Sequence, residues 1–380
     1  MVIQNEKIVQ AQTLVVHEWF ASIGGSENVA AAIREAIPGS DLLCLWKDRQ
    51  VAIPGRGEVL QTVLTFRPFH GRKVLSLPLM PVIWRWTRAR THSARVVIAS
   101  THLFAHHVAV PRGTPKLLYV HTPARYIWEP GHDHRGQGFL ARLASKVLQP
   151  LDRHRAQEAT DIAANSEFVR DRIKRSWGRD ARVIYPPVDV EEIQAVSNWE
   201  AELNADEARK LSHLPAGFLL GASRFIPYKR LDLVIRAGEL TGMPVVIAGS
   251  GPEEQRLRTL AASAKVDVHF VIRPSTALLR ALYQRSSLYI FPAVEDFGIM
   301  PVESIACGTA VAANRIGGAS ESVIDGVTGA HFDVDDEDSL RKSILIALEL
   351  DRSKIKSYAA PFSKQRFQAE IITWSKEFIS

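Results

Sequence analysis

Two glutamates, Glu295 and Glu303, stand eight residues apart in the run Phe291-Pro-Ala-Val-Glu-Asp-Phe-Gly-Ile-Met-Pro-Val-Glu-Ser. The apolar stretch before them, Leu288–Phe291, reads as a strand. Gly298 permits a tight turn or a close backbone approach. Pro301 suits the first turn of a helix. The backbone N–H groups at such a helix start make an anion site. With one carboxylate on the loop and one in the helix, the pair can grip two hydroxyl groups of one polyol. The alternative is a helix-capping acid followed by a solvated helix acid. Upstream, Gly221-Ala-Ser-Arg-Phe-Ile-Pro-Tyr-Lys-Arg-Leu-Asp puts cations between a strand and a helix. Arg224 and Lys229 facing a diphosphate would each contribute roughly 1.5–3 kcal/mol through charged hydrogen bonds. The alternative there is a solvated basic loop. Gly249-Ser-Gly-Pro offers a third turn but is not G-x-G-x-x-G, so the dinucleotide fingerprint is absent.

The first half carries fainter signals. Val15-Val-His-Glu-Trp-Phe-Ala-Ser-Ile-Gly-Gly-Ser-Glu-Asn reads as strand, glycine loop and helix start, and Gly24 and Gly25 would let the backbone approach phosphates. An ordinary strand-to-helix turn explains the same residues. His121 follows an apolar strand in Tyr119-Val-His-Thr-Pro-Ala-Arg-Tyr-Ile-Trp, where a lone histidine is usually structural. His102, His106 and His107 form one histidine group, and His132 and His134 another. Neither offers a clear third and fourth ligand, so no metal is expected.

These residues need rigid elements to hold them. Short β-branched apolar runs alternate with helical patterns at Thr13–Val16, Val96–Ala99, Leu117–Val120, Ile162–Ala164, Val183–Tyr185, Phe218–Gly221, Val245–Ala248, Val268–Val271, Leu288–Phe291 and Ala310–Ala312. Continuous apolar strands with helices between them imply parallel sheets covered on both faces, which bind ligands beyond their carboxyl ends. The 380 residues, 46% hydrophobic, suffice for two cores. The chain turns polar after Pro186-Pro187, which suggests a domain over 1–189, a linker over 190–214 and a second domain over 215–360. Phe367, Ile371, Ile372, Trp374 and Phe378 give the final segment, 361–380, a helical packing face that completes the first domain.

Charge divides with the domains. Residues 1–189 hold 26 Lys/Arg and 16 Asp/Glu, or +10, against −4 for the rest. Between Glu58 and Glu129 stand ten basic residues and no acid, which points to an anionic partner. Within that block, Trp84-Arg-Trp-Thr-Arg-Ala-Arg suits the headgroup zone of an anionic membrane or a solvated helix. Nucleic acid is not expected, since no binding module is recognisable. The two cysteines, Cys44 and Cys307, are far apart and fit a reducing cytoplasm. No apolar run reaches the roughly 18 residues of a spanning helix, and the polar N-terminus does not read as a secretory signal.

Taken in order, these motifs resemble the retaining glycosyltransferases of family 4 along the whole chain. The resemblance implies an α/β GT-B fold, two doubly wound Rossmann-like domains facing a central cleft. It gives the transferred sugar to Glu295 and the nucleotide ribose to Glu303. Arg224 and Lys229 take the diphosphate, as do the amides of Phe297, Gly298, Ile299 and Met300 and the glycine loop at Gly24 and Gly25. His121 contacts the donor sugar. Ala306-Cys-Gly-Thr-Ala-Val and Gly317-Gly-Ala-Ser-Glu-Ser-Val-Ile-Asp-Gly also fit the family, whereas Ile272-Arg-Pro-Ser-Thr-Ala-Leu-Leu stands where many relatives have a glycine and acids. The HTP-x-RY-x-W run, the early His17-Glu-Trp and Leu77-Pro-Leu-Met-Pro are similar to bacterial mannosyltransferases of surface-polysaccharide assembly.

The resemblance therefore implies a nucleotide diphosphate sugar as donor substrate, GDP-mannose as the donor of that subgroup, and no separate cofactor or divalent metal. It implies a lipid-linked or saccharide acceptor; the basic aromatic block and the cysteines add a cytoplasmic location, at the inner face of the plasma membrane with peripheral contact to anionic lipid. A nucleotide-sugar epimerase on the same scaffold and a non-catalytic binding module are the competing classes.

Overall fold

The computed structural model describes residues 13–21, 24–129 and 139–378. The chain divides into two compact units, 1–187 with 365–380, and 188–364.

Unit 1 is built on seven strands: β1 (Thr13–Phe20), β2 (Asp41–Lys47), β3 (Val59–Gln61), β4 (Val96–Thr101), β5 (Lys116–Val120), β6 (Asp161–Ala164) and β7 (Arg182–Val183). They lie in the order β3-β2-β1-β4-β5-β6-β7, and every pairing is parallel. Alternate residues of each strand enter opposite cores, as the two-residue period demands. Leu14, Val16, Leu43, Val97 and Leu118 join Trp46, Ile83, Trp84 and Trp177 on one face. Val15, Leu42, Ile98 and Tyr119 join Val29 and Ile33 of the helix Gly25–Ala36 on the other. That second face is closed by Phe367, Ile371 and Trp374 of the last helix, Lys364–Lys376. Trp374 anchors it by donating Nε1–H to Asp161 Oδ2 at 2.8 Å.

Unit 2 has six strands: β8 (Leu219–Arg224), β9 (Val245–Ser250), β10 (Val268–Ile272), β11 (Leu288–Phe291), β12 (Val311–Asn314) and β13 (Gly329–Phe332). Their order is β10-β9-β8-β11-β12-β13, again all parallel. Residues 190–214, read from their polarity as a linker, instead form helices of this unit. The helix Val190–Ala195, a 3₁₀ turn Trp199–Glu202 and the helix Ala205–Ser212 bury Val190, Ile193, Trp199 and Leu211. Asn204 caps the last of them by accepting from the Asp206 and Glu207 amides. Arg280 ties the segment to the sheet domain, its guanidinium 2.7 Å from Glu192 and 4.5 Å from the Trp199 ring. The charges that suggested a linker are the solvent sides of short amphipathic helices.

In each sheet the strand order reverses at one place, between β1 and β4 in unit 1 and between β8 and β11 in unit 2. There, neighbouring loops leave in opposite directions and open a crevice beyond the strand ends.

Candidate functional site

At the unit 2 reversal, the loop after β8 enters the 3₁₀ turn Pro227–Lys229 and the loop after β11 enters the helix Ile299–Ala306. Lys229 and Glu295, one from each loop, meet there in an ion pair between Nζ and Oε1. Lys229 is 6% exposed and lies 5.7 Å from the Phe291 ring; Glu295 is one quarter exposed. A buried ammonium demands a compensating charge, and the loop carboxylate provides it. Arg224 is exposed, and its Nη2 donates to the Tyr228 hydroxyl at 3.3 Å.

Backbone geometry fixes the second loop. Gly298 has φ 92°, a left-handed conformation, and starts the helix with no side-chain cap on its first turn. The amides of Phe297 to Met300 thus precede and open an uncapped helix. The loop after β12 closes against this turn, with the Gly318 amide donating to the Glu295 carbonyl at 2.8 Å. A Cβ at Gly318 would stand 2.2 Å from the Asp296 carbonyl oxygen, so only glycine permits that approach. Arg273 keeps a left-handed backbone, φ 49°, just past the end of β10.

Glu303 projects from the same helix with no hydrogen-bond or ion-pair partner for its carboxyl among the described residues. Burial pushes its pKa up to about 7; Arg280 opposes the shift and Asp189 adds to it. A half-buried carboxyl without a protein partner leaves its acceptor sites open to a ligand's donors.

In unit 1 the helix after the glycine loop begins at Gly25, with Gly24 as its cap residue. Glu27 in its first turn accepts from the Ser26 hydroxyl at 2.9 Å and folds to 2.8 Å from where a Gly24 Cβ would be. This helix start carries its own acid, a feature sequence reasoning left out.

His121 is almost buried at the end of β5. Its Nε2 pairs with the Ser100 hydroxyl at 2.9 Å, and burial beside His102 and His17 holds its pKa well below the usual range. Around it lies a cluster from His17 and Glu18 on β1, which the sequence marked only as a family signature, and from Ser100, Thr101 and His102 at the end of β4. Glu18 is fully buried, and its Oε1 accepts from the amides of His102, Leu103 and Ala105 and from the Thr101 hydroxyl, at 2.9–3.1 Å. Its Oε2 lies 3.2 Å from His102 Nδ1. A buried acid inside an otherwise apolar strand was the available signal.

The histidine group of residues 102, 106 and 107 separates in the structure. His106 and His107 converge on Asp152 Oδ1 at 3.0 and 3.3 Å, while Asp152 Oδ2 accepts from Trp128 and Trp177 at 2.7 and 2.8 Å. That carboxylate is saturated, and this buried network ties the helix Phe139–Ala156 to its neighbours. Burial, with His106 adjacent, lowers the His107 pKa to about 4. His17, Glu18 and His102 also lie close enough for one ion to bridge them. His132 and His134 fall outside the described residues.

The acid-free block is less uniform than its sequence suggested. Lys116 is buried and Arg85 half-buried, and both pair with Glu158, at 3.2 and 2.7 Å. Trp84 is a core residue, whereas Trp86 is 74% exposed.

Two doubly wound parallel sheets, each with polar loops gathered where its strand order reverses, place the chain in the GT-B class. The model described as Glycosyltransferase Family 4 matches residues 23–192, and that described as Glycosyl transferases group 1 matches 205–361. The chain belongs to glycosyltransferase family 4. It is 27% identical over 236 residues to the GDP-mannose-dependent alpha-(1-6)-phosphatidylinositol monomannoside mannosyltransferase of Mycolicibacterium smegmatis, covering 58% of this chain and 60% of that one. It is 31% identical over 223 residues to a D-inositol 3-phosphate glycosyltransferase of the same organism, covering 55% and 50%. The chain thus spans between one half and three fifths of these relatives' lengths. The crystal structure of Anabaena HepE with UDP and glucose has the same fold, with TM-score 0.68 and 18% identity over 96% of this chain and all of that one.

Proposed function

We propose that the protein transfers a hexose, mannose from GDP-mannose, to a hydroxyl of a lipid-linked or saccharide acceptor in glycan assembly, with retention at the anomeric carbon. The observation that carries this reading is the Lys229–Glu295 pair at the unit 2 reversal, with the unpartnered Glu303 carboxyl on the adjoining helix. A bound donor would part the pair. Lys229 would turn to the diphosphate with Arg224 and the amides of Phe297, Gly298, Ile299 and Met300. Glu295 would be freed for sugar hydroxyls, and Glu303 would accept from the ribose. The anomeric carbon–oxygen bond breaks toward the diphosphate, whose growing charge those cations and amides stabilise. The acceptor hydroxyl bonds to the anomeric carbon on the same face, and its proton passes to the departing phosphate oxygen. His121, kept neutral, would donate or accept at a sugar hydroxyl, and the backbone at Gly24 and Gly25 would approach the phosphates beside Glu27. GDP-mannose is favoured by the GDP-mannose dependence of the Mycolicibacterium smegmatis mannosyltransferase relative.

Thermal-shift titration tests the donor, because preferential binding raises apparent stability. GDP and GDP-mannose are expected to raise Tm more than UDP and UDP-glucose; the reverse order would reject the donor base. Release of GDP on adding acceptor supports transfer, and a changed sugar without acceptor would mark an epimerase instead.

A peripheral membrane contact fits the same role. Phe66, Val74, Leu75, Val82 and Trp86 are exposed along one segment, interleaved with exposed Arg67, Arg72, Arg88 and Arg90 and with no acid. Among the described residues no helix is long and apolar enough to cross a membrane. Apolar side chains among arginines suit the headgroup boundary of an anionic leaflet, so this reading places the protein at the cytoplasmic face. At low salt the protein should float with vesicles containing phosphatidylglycerol more than with pure phosphatidylcholine, and a Phe66→Ser/Trp86→Ser variant should float less. Equal recovery on both lipids would remove the contact.

A further inference from the structure

We propose that the strand reversal of unit 1 holds a second anion site, where His102 and Lys73, gathered on Trp19, take a phosphoryl group of the acceptor. This rests on the transferase reading and adds the acceptor's chemistry to it.

The position is the one at which an open parallel sheet receives ligands, beyond the carboxyl ends of β1 and β4. The Trp19 ring organises it: Trp46 stacks on it at 5.2 Å, the His102 ring meets it edge-on at 5.1 Å, and Lys73 Nζ lies 4.4 Å from its centroid. Glu18 orients His102. With Oε1 held by three amides and a hydroxyl, Oε2 is left for His102 Nδ1, and this contact raises the imidazole's pKa despite its burial and the nearby Lys73. Among the described residues the other ring nitrogen of His102, Nε2, has no hydrogen-bond partner and is not sealed from solvent; the side chain is one quarter exposed. Beside it, the buried His17 Nε2 also lacks a partner. An imidazolium fixed by a carboxylate, with its second N–H turned outward next to an ammonium, matches two oxygens of one phosphoryl group. Glu18 stays ionised, stabilised by its four other donors, so the dyad presents an aligned N–H donor and Lys73 brings the ammonium. A dyad that served only to hold the 101–105 turn would need neither the outward nitrogen nor the neighbouring ammonium.

Calorimetry of the full chain with inorganic pyrophosphate tests the site. Wild type should show two binding events, and Lys229→Ala should remove the one in unit 2. In that background His102→Gln or Lys73→Ala should weaken the remaining event roughly tenfold or more, whereas Lys73→Arg should keep it. Loss of all binding in Lys229→Ala alone, or unchanged binding after His102→Gln, would overturn the proposal. If Lys229→Ala leaves both events intact, the unit 2 donor reading fails and this one stands. Lys73 is exposed, so Lys73→Ala remains informative if His102→Gln lowers stability. Displacement of pyrophosphate by phosphatidylcholine vesicles carrying phosphatidic acid identifies a lipid-borne phosphate. Displacement by glucose 1-phosphate identifies a soluble one. Displacement by neither counts against an acceptor site.

Discussion

Lys229→Ala is expected to lower kcat by about 10³-fold, with the fold retained. In the proposed reaction the ammonium would face the charge that appears on the leaving diphosphate, and one preorganised donor of this kind is worth roughly 10²–10³ in rate. The loss should exceed that of one ordinary donor, because the same group positions Glu295 in the resting site. Its removal leaves Glu295 one quarter exposed, so water can solvate the carboxylate and Tm should change little. Lys229→Arg should recover only part of the rate, since a planar guanidinium does not replace a compact ammonium in a buried slot. Steady-state kinetics beside a thermal melt separate these effects. Near-normal turnover in Lys229→Ala would refute the site.

The second large effect belongs to Glu303 and has opposite signs for stability and binding. Its carboxyl titrates near 7 in the folded chain against an ordinary value of 4.5. The folded state therefore keeps a proton that the unfolded state releases. Stability from this group is intact below pH 4.5, falls as pH rises through the interval, and is fully lost above about 7. The full penalty is on the order of 3 kcal/mol. Glu303→Gln removes the charge, so at pH 8 it should raise Tm by several degrees, at roughly 2–4 °C per kcal/mol. Ribose hydroxyls need the ionised carboxylate as acceptor. GDP affinity of the wild type should thus rise between pH 6 and 8, while Glu303→Gln binds weakly and without that pH dependence. A destabilised Glu303→Gln, or a wild-type affinity flat across this range, would contradict the assignment.

What could be read from sequence followed from how local each signal was. Most central strands announced themselves as apolar runs, but interior β2 (Asp41–Lys47) was not among the runs read from sequence. β3 did not announce itself either, being a three-residue edge strand with half-buried side chains, and β13 is the short edge run Gly-Ala-His-Phe. Residues 190–214 misled because composition averages over a helix whose buried positions are few, as with Val190, Ile193 and Leu211. The unit 2 motifs were legible because loop, glycine and helix start lie within one stretch of chain. The Lys229–Glu295 pairing spans 66 positions and needed the β8–β11 adjacency to appear. Glu18 and His102 are 84 positions apart and meet only because β1 pairs with β4. Trp84 and Trp86 looked alike in sequence, and only helix phase separates the core residue from the exposed one.

The most direct measurement is a crystal structure of the protein with GDP-mannose. The expected result has the Lys229 ammonium on a diphosphate oxygen, Glu295 released to the sugar hydroxyls and Glu303 bonded to the ribose. A nucleotide bound elsewhere, or one bound with Lys229 and Glu295 still joined, would contradict the account.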